Sequence, residues 1–226
     1  MRYKGILFDL DMTLFDFDAG NRIAVGRLLD EVGYAAPNRY EEYEAINRAC
    51  WQALERGEIS QGELRALRFR RFFEQYGIDA DADAAADRFV TLLGQQAILL
   101  PGAEEAVRTI AAVKPVALLT NGISQVQWAR LARSPFKDIA VDMIVSEDVG
   151  YAKPHPGLFN CALKKLGWNR REVRMIGDGA TSDIAGANAA GIDACWLNAD
   201  GRALPRGVHA EYTVKDILDC VPIALR

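Results

Sequence analysis

Two aspartates near the beginning of the chain, Asp9 and Asp11, are the first residues whose types and spacing could do chemistry. They follow an apolar run, residues 3–8, which has no helical period and is typical of a strand buried on both faces. Side chains alternate along extended chain, so both carboxylates can point to one side while Leu10 packs away from it. Like charges this close are unfavourable unless a cation or a function needs them. The alternative is that the two aspartates only stabilise a turn, because Asp is common where a strand ends.

Two more predicted strands also end in polar residues. Residues 115–119 and 173–176 are short, largely apolar runs bounded by turn residues, as buried strands are. The polar ends of these runs are Thr120, Asn121 and Gly122 in the first case and Gly177, Asp178 and Asp183 in the second. Because ligands of parallel sheets bind beyond the carboxyl ends of the strands, these side chains could converge in one crevice.

A lysine lies on an irregular loop between those two runs. Lys153 comes after the turn residue Gly150, and the fixed backbone of Pro154 follows it. A solvent-exposed loop lysine is the alternative interpretation of Lys153. Asp183 likewise could simply cap a helix or compensate its dipole.

Phosphoryl transfer through an enzyme aspartate is the chemistry that fits this set of residues. A carboxylate that attacks a phosphate dianion meets like-charge repulsion, so a hard divalent cation must bridge the two groups. Magnesium takes oxygen ligands and keeps several waters, so that one to three carboxylates are enough to bind it. The Lys153 ammonium and hydroxyl or backbone N–H donors could then hold the phosphoryl oxygens.

The segments that must position these residues alternate between strands and helices after residue 100. The pattern predicts helices over 103–113, 124–133, 156–166 and 182–190, and further strands over 142–145 and 194–197. Ser124 is expected to cap the second of these helices. Repeated strand–helix units predict an α/β fold with a parallel sheet and helices on both faces.

Residues 18–98 interrupt that alternation and predict only helices. The expected helices cover 23–32, 39–56, 61–76 and 82–97. Ser60 and Glu63 form a capping-box pattern in front of the third. The arginines of that helix favour a solvent-exposed face over a nucleotide grip; they are Arg65, Arg68, Arg70 and Arg71. The nearby aromatic residues favour a core over a base-stacking surface; they are Trp51, Phe69, Phe72 and Tyr76.

The composition excludes several classes of protein. The net charge of −4 argues against a nucleic acid polymer as partner. No apolar stretch is long enough to span a bilayer, and the first predicted strand leaves no room for a signal peptide. The four cysteines are far apart in the sequence, which favours reduced thiols of a cytoplasmic protein. The two histidines, His155 and His209, have no ligand-like partner and receive no role.

The four polar segments together resemble the motifs of the haloacid dehalogenase-like (HAD) phosphohydrolases. The matching residues are Asp9 to Thr13, Thr120, Lys153, and Gly177 to Asp183, in the family's order and across essentially the whole chain. The resemblance implies a Rossmann-like parallel sheet core, 1–17 and 99–226, with an all-helical cap, 18–98, inserted after the first strand. It also implies an enzyme that depends on Mg²⁺.

The resemblance further implies roles for single residues. Asp9 would be the nucleophile, and Asp11 the general acid and base. Magnesium would be held by Asp9, the backbone oxygen of Asp11, Asp178 and, through water, Asp183. Phosphate would be bound by Thr120, the backbone N–H of Asn121, and Lys153. Asp11 disfavours a dehalogenase, because a halide leaves without a proton and dehalogenases of this family lack the second Asp.

Two shorter segments, 14–18 and 120–154, are similar to the pyrimidine 5′-nucleotidase subgroup. The implied substrate is a small phosphate monoester, a pyrimidine nucleoside 5′-monophosphate above others. Alternatives are a phosphoglycolate or sugar-phosphate phosphatase, a phosphosugar mutase of the same fold, and a non-enzymatic phospho-acceptor signalling domain. The signalling domain would have no use for a helical lid, whereas a lid that excludes water suits an enzyme. The sequence leaves the oligomeric state open.

Overall fold

The computed structural model describes residues 3–226, apart from the side chains of residues 54, 55 and 61. The chain forms two compact units, Met1–Phe17 with Ala97–Arg226 and Asp18–Gln96. The first two residues of the predicted core lie outside the described part of the chain.

The second unit is built from helices that follow one another with short connections. They are α1 (Phe17–Glu31), α2 (Arg39–Glu55), α3 (Gln61–Tyr76) and α4 (Ala82–Gly94). The predicted capping box begins α3: the Ser60 side chain accepts from the Glu63 backbone N–H, and the Glu63 carboxylate accepts from the Ser60 backbone N–H. Gly77 ends α3 in the left-handed conformation, with φ of 66°, which glycine adopts without strain.

The interior of the helical unit is aromatic, and it contains one arginine that the sequence pattern misplaced. Phe69 and Phe72 are fully buried, so their interpretation as core residues is confirmed. The same interpretation is wrong for Trp51, because 44% of that residue is exposed. Arg68 was expected on a solvent-exposed face, but only 8% of it is exposed. Its guanidinium lies 4.7 Å from the centre of the Phe89 ring and donates to Asn47 Oδ1 at 3.4 Å. A planar, weakly hydrated cation can be buried in this way when rings and an amide oxygen surround it.

The first unit contains one parallel sheet of six strands. The strands are β1 (Gly5–Phe8), β2 (Val116–Thr120), β3 (Asp142–Val145), β4 (Val173–Gly177), β5 (Asp193–Leu197) and β6 (Tyr212–Val214), in the spatial order β3-β2-β1-β4-β5-β6. The predicted α/β class, with a parallel sheet and an all-helical insert after the first strand, is therefore confirmed. On β1, Ile6 and Phe8 pack into one apolar cluster and Leu7 into the other, so this strand is buried on both faces.

Helices precede, connect or follow these strands, and they begin in ways that local sequence only partly predicts. They are α5 (Ala103–Ala111), α6 (Ser124–Ala132), α7 (Ser146–Val149), α8 (Pro156–Leu166), α9 (Ala185–Ala190) and α10 (Cys220–Ala224). The Ser124 side chain does not cap α6; its backbone N–H instead donates to the Glu147 carboxylate at 2.7 Å. His155, which had no predicted role, caps α8 by accepting from the Gly157 N–H. A π-helical turn, Ala180–Ile184, replaces the first part of the predicted helix over 182–190.

All four cysteines are free thiols. Cys195 on β5 and Cys220 at the start of α10 lie with their Sγ atoms 4.0 Å apart, although they are distant in the sequence. Within residues 3–226, no helix combines the length and the apolar composition that crossing a membrane requires.

Candidate active site

The predicted site residues come together at the carboxyl ends of three neighbouring strands. Asp9 follows β1, Thr120 ends β2, and Asp178 follows β4, and β1 lies between the other two in the sheet. Parallel strands point all their carboxyl ends to one edge, which is why residues so distant in sequence meet there.

Asp9 is buried and has partners on both carboxylate oxygens. Its Oδ1 forms an ion pair with the Lys153 ammonium, and its Oδ2 accepts from the Thr13 hydroxyl at 3.2 Å. The same Thr13 hydroxyl accepts from the backbone N–H of Asp178 at 3.1 Å, so Thr13 links the ends of β1 and β4. Burial and the neighbouring Asp183 carboxylate raise the pKa of Asp9 above its ordinary value, and Lys153 offsets only part of this rise.

Lys153 is a buried cation that contacts two of the site's carboxylates. Its Nζ lies 2.7 Å from Asp183 Oδ1 and donates to the backbone oxygen of Leu119 at 3.0 Å. Burial opposes its charged form, but the carboxylates of Asp183 and Asp9 outweigh burial and raise the pKa of Lys153. The interpretation of Lys153 as a solvent-exposed loop residue is wrong, because a loop that leaves β3 through α7 carries the side chain into the interior.

Three carboxylates converge closely enough to hold a metal ion. Ligand oxygens of Asp9, Asp178 and Asp183 all lie within 4.8 Å of one another. A Cβ on Gly177 would stand 2.4 Å from the Asp183 carboxylate, so a glycine there lets that carboxylate approach the strand end. Burial, and then the charge of Asp183, raises the pKa of Asp178 to about 6.

This donor set suits a hard divalent cation. All three ligands are carboxylate oxygens, which magnesium prefers. Lys153 contacts Asp9 and Asp183, and the half-exposed guanidinium of Arg202 lies 3.7 Å from Asp178 Oδ2. Burial, and then the charge of Asp183, raises the pKa of both Asp9 and Asp178, and a divalent cation bound between the carboxylates would offset both effects. The residues present therefore fit Mg²⁺.

Asp11 points to a different set of partners from Asp9. Its Oδ1 accepts from the Arg130 guanidinium at 2.5 Å and its Oδ2 accepts from the Gln127 amide at 2.8 Å. The same Gln127 amide donates to the Thr120 hydroxyl at 2.7 Å. Sequence reasoning missed both α6 residues. Their spacing of one helical turn, just after the polar end of β2, is the signal that could have identified them.

Two more residues surround Asp178, and no sequence pattern pointed to them. The Trp196 indole N–H donates to the Asp178 backbone oxygen at 2.8 Å, and the Arg202 guanidinium lies 3.7 Å from its Oδ2. Asn121 does not carry its side chain to the carboxylates; its amide hydrogen-bonds the backbone of Lys153 instead.

Comparison with known proteins identifies the family. A family model described as haloacid dehalogenase-like hydrolase matches residues 3–191. The chain is 35% identical to the pyrimidine 5′-nucleotidase PynA of Streptococcus pneumoniae, over 98% of this chain and 96% of that protein. It is 33% identical to the pyrimidine 5′-nucleotidase YjjG of Escherichia coli, over 96% of each. This chain belongs to the haloacid dehalogenase-like hydrolases.

A solved structure supports the same assignment. The HAD-hydrolase YfnB from Bacillus subtilis, bound to magnesium, superposes with a TM-score of 0.89 at 29% identity, and 99% of each chain is covered. The predicted membership of the HAD hydrolases is thus confirmed, and the chain is an enzyme. The alternative of a non-enzymatic signalling domain is set aside. Relatives that are nucleotidases support the interpretation of this enzyme as a phosphoric monoester hydrolase.

Proposed function

We propose that this enzyme is a Mg²⁺-dependent phosphatase that hydrolyses nucleoside 5′-monophosphates, pyrimidine ones above others, through an aspartyl-phosphate intermediate. The observation that carries the proposal is the buried group in which Asp9 contacts Lys153 and lies beside Asp178 and Asp183. The relatives PynA and YjjG, which are pyrimidine 5′-nucleotidases, support the choice of substrate.

The first half-reaction transfers the phosphoryl group to Asp9. A carboxylate oxygen of Asp9 attacks phosphorus, and the bond between phosphorus and the substrate's ester oxygen breaks. The electron pair of that bond goes to the ester oxygen, and the Asp11 carboxyl gives it a proton, so that the nucleoside leaves as an alcohol. A proton donor matters here because an alkoxide is a poor leaving group.

The second half-reaction returns the enzyme to its starting state. The Asp11 carboxylate takes a proton from water while the water oxygen attacks the phosphorus of the aspartyl phosphate. The bond between phosphorus and the Asp9 oxygen breaks, Asp9 regains its charge, and inorganic phosphate is released. Asp11 is protonated again and ready for the next substrate.

The transferring phosphoryl group is held by donors at the ends of β2 and β3. We assign this role to the Thr120 hydroxyl, the backbone N–H of Asn121, and the Lys153 ammonium. Magnesium would be held by Asp9, the backbone oxygen of Asp11, Asp178 and, through water, Asp183. Bound there, it would screen the repulsion between the Asp9 carboxylate and the phosphate dianion.

The two units receive different tasks in this proposal. We assign residues 1–17 and 99–226 to the catalytic core, which contains every residue named in the two half-reactions. Residues 18–98 are assigned to a cap domain that distinguishes leaving groups. The partner is a small phosphate monoester and not a nucleic acid polymer, in keeping with the net charge of −4. The cytoplasmic location stays a prediction from the scattered cysteines.

A substrate panel tests the proposal. The measurement is kcat/KM with Mg²⁺ for uridine, thymidine, cytidine and purine 5′-monophosphates beside phosphoglycolate and hexose phosphates. We expect pyrimidine nucleotides to lead, with discrimination between bases on the order of 1–3 kcal/mol if it rests on pocket shape. If kcat/KM for phosphoglycolate or a hexose phosphate is tenfold or more above that for every nucleotide, the enzyme is a phosphatase but not a nucleotidase. Turnover only with a bisphosphate activator, without free phosphate, would indicate a mutase.

A further inference from the structure

We infer that Gln127 and Arg130 on α6 are positioning residues that orient the Asp11 carboxyl group toward the leaving oxygen. This inference rests on the proposed function, in which Asp11 protonates that oxygen. It goes further by naming the groups that determine how well the enzyme handles substrates with poor leaving groups.

The hydrogen bonds of this network place one donor on each oxygen of Asp11. Arg130 Nη1 lies 2.5 Å from Oδ1, and Gln127 Nε2 lies 2.8 Å from Oδ2. A further hydrogen bond, from Arg130 Nη1 to Gln127 Oε1 at 2.9 Å, joins the two α6 side chains. Each carboxyl oxygen has more than one site for a hydrogen bond, so both donors can bind while the carboxyl still carries and gives a proton.

The two α6 side chains of this network are buried, whereas the Asp11 carboxyl group is partly open to solvent. Gln127 and Arg130 are each 1% exposed, whereas the Asp11 side chain keeps 26% of its surface open. The Arg130 guanidinium also lies 4.4 Å from the centre of the Phe15 ring. A guanidinium held against a ring and bonded to a buried amide has little freedom, so it fixes the carboxyl group that it contacts.

Gln127 also connects Asp11 to the phosphate-binding end of β2. The two hydrogens of its amide are both used, one by Asp11 Oδ2 and one by the Thr120 hydroxyl at 2.7 Å. The backbone makes room for this arrangement, because a Cβ on Gly122 would stand 2.6 Å from Gln127 Nε2. The distance between the proton donor and a bound phosphoryl group is therefore set partly through one buried side chain.

The experiment compares two esters that differ in their need for a proton. The variants Gln127→Met and Arg130→Met remove the polar contacts while keeping a similar side-chain volume. Arg130→Lys keeps the positive charge but lacks the planar guanidinium group with its several N–H donors. Arg133→Met, on an exposed arginine of the same segment, is the matched control. The measurement is kcat/KM for 4-nitrophenyl phosphate and for uridine 5′-monophosphate, because this constant reports phosphoryl transfer to Asp9 and not the later hydrolysis.

We expect Gln127→Met and Arg130→Met to lose about tenfold or more on the nucleotide while losing much less on the aryl ester, since general acid catalysis is what they disturb. Arg130→Lys should recover part of the loss, and Arg133→Met should match the wild type on both esters. Thermal melts establish that each variant is folded, and Gln127→Met carries the test if Arg130→Met is not. Equal losses on both esters, or no loss, would overturn the inference alone. A wild type that hydrolyses neither ester would overturn the proposed function as well.

Discussion

Asn121 and Lys153 are joined by a pair of hydrogen bonds between one side chain and one backbone. The Asn121 amide N–H₂ donates to the Lys153 carbonyl oxygen at 2.8 Å, and the Asn121 carbonyl oxygen accepts from the Lys153 N–H at 2.7 Å. These bonds tie the end of β2 to the loop that carries the lysine. The backbone of Asn121 is the part proposed to face phosphate, while its side chain holds Lys153 in place.

Asn121→Leu should therefore act through Lys153. We expect kcat/KM to fall about tenfold to a hundredfold, because two hydrogen bonds that hold the lysine's backbone are lost. The measurement is a double-mutant cycle with Lys153→Met, in which Asn121→Leu should add little to the loss that Lys153→Met already causes. Fully additive losses would mean that the two residues act independently.

Asp9→Asn should abolish turnover, because it removes the attacking carboxylate at nearly constant volume. The expected loss in kcat is at least about a thousandfold. Asp138→Asn, at an exposed aspartate of the same unit, is the control and should keep wild-type activity. A folded Asp9→Asn enzyme with a tenth of the wild-type rate would exclude Asp9 as the nucleophile.

Activity should disappear with a chelator and return when Mg²⁺ is added. Asp178→Ala should raise the Mg²⁺ concentration needed for half-maximal activity, because it removes one of three converging carboxylates. Calcium should substitute poorly, since its larger and looser coordination shell misplaces the nucleophile relative to phosphorus. Titration of activity with each metal checks these statements, and full activity in excess EDTA would contradict them.

Asp11→Asn should impair hydrolysis of nucleotides while still accepting a phosphoryl group from an aryl phosphate. The contrast follows because an aryl oxide leaves without a proton, whereas release of phosphate from Asp9 still needs a base. A burst of 4-nitrophenol followed by slow turnover, with phosphate trapped on the protein, is the expected observation. Equal losses on aryl and alkyl esters without a trapped phosphoenzyme would argue against this role.

Tyr43→Phe should leave the protein as stable as the wild type or more so. The Tyr43 hydroxyl is buried and has no hydrogen-bond partner among the described residues, so folding removes it from water without compensation. The expected gain in the free energy of unfolding is about 1 kcal/mol. Tyr40→Phe is the control: its hydroxyl accepts from Asn21 at 3.1 Å, and its removal should destabilise. Thermal melts of both variants measure the difference.

Sequence alone predicted most of the elements and the polar residues at the ends of three strands, but it predicted neither the edge strand β6 nor the short helices α7 and α10. The apolar run before Asp9, the capping box of Ser60 and Glu63, and the strand over 142–145 depend on neighbouring residues, and all were predicted correctly. Periodicity and turn chemistry are local properties, and a parallel sheet then brings the strand ends to one edge. That is why Asp9, Asp178 and Asp183 could be grouped before their distances were known.

Only the tertiary structure decided which polar side chains are buried and which contacts they make. Arg68 lies on a helix face that looks solvent-exposed by periodicity, yet Phe89 from another helix covers it. Gln127 and Asp11 are 116 positions apart and meet only because α6 packs beside the end of β1. The energy of a buried polar group depends on every element packed around it, whereas a pattern in sequence records only its own element. The hydrogen bonds from Gln127 and Arg130 to Asp11 could therefore be identified only from the tertiary structure.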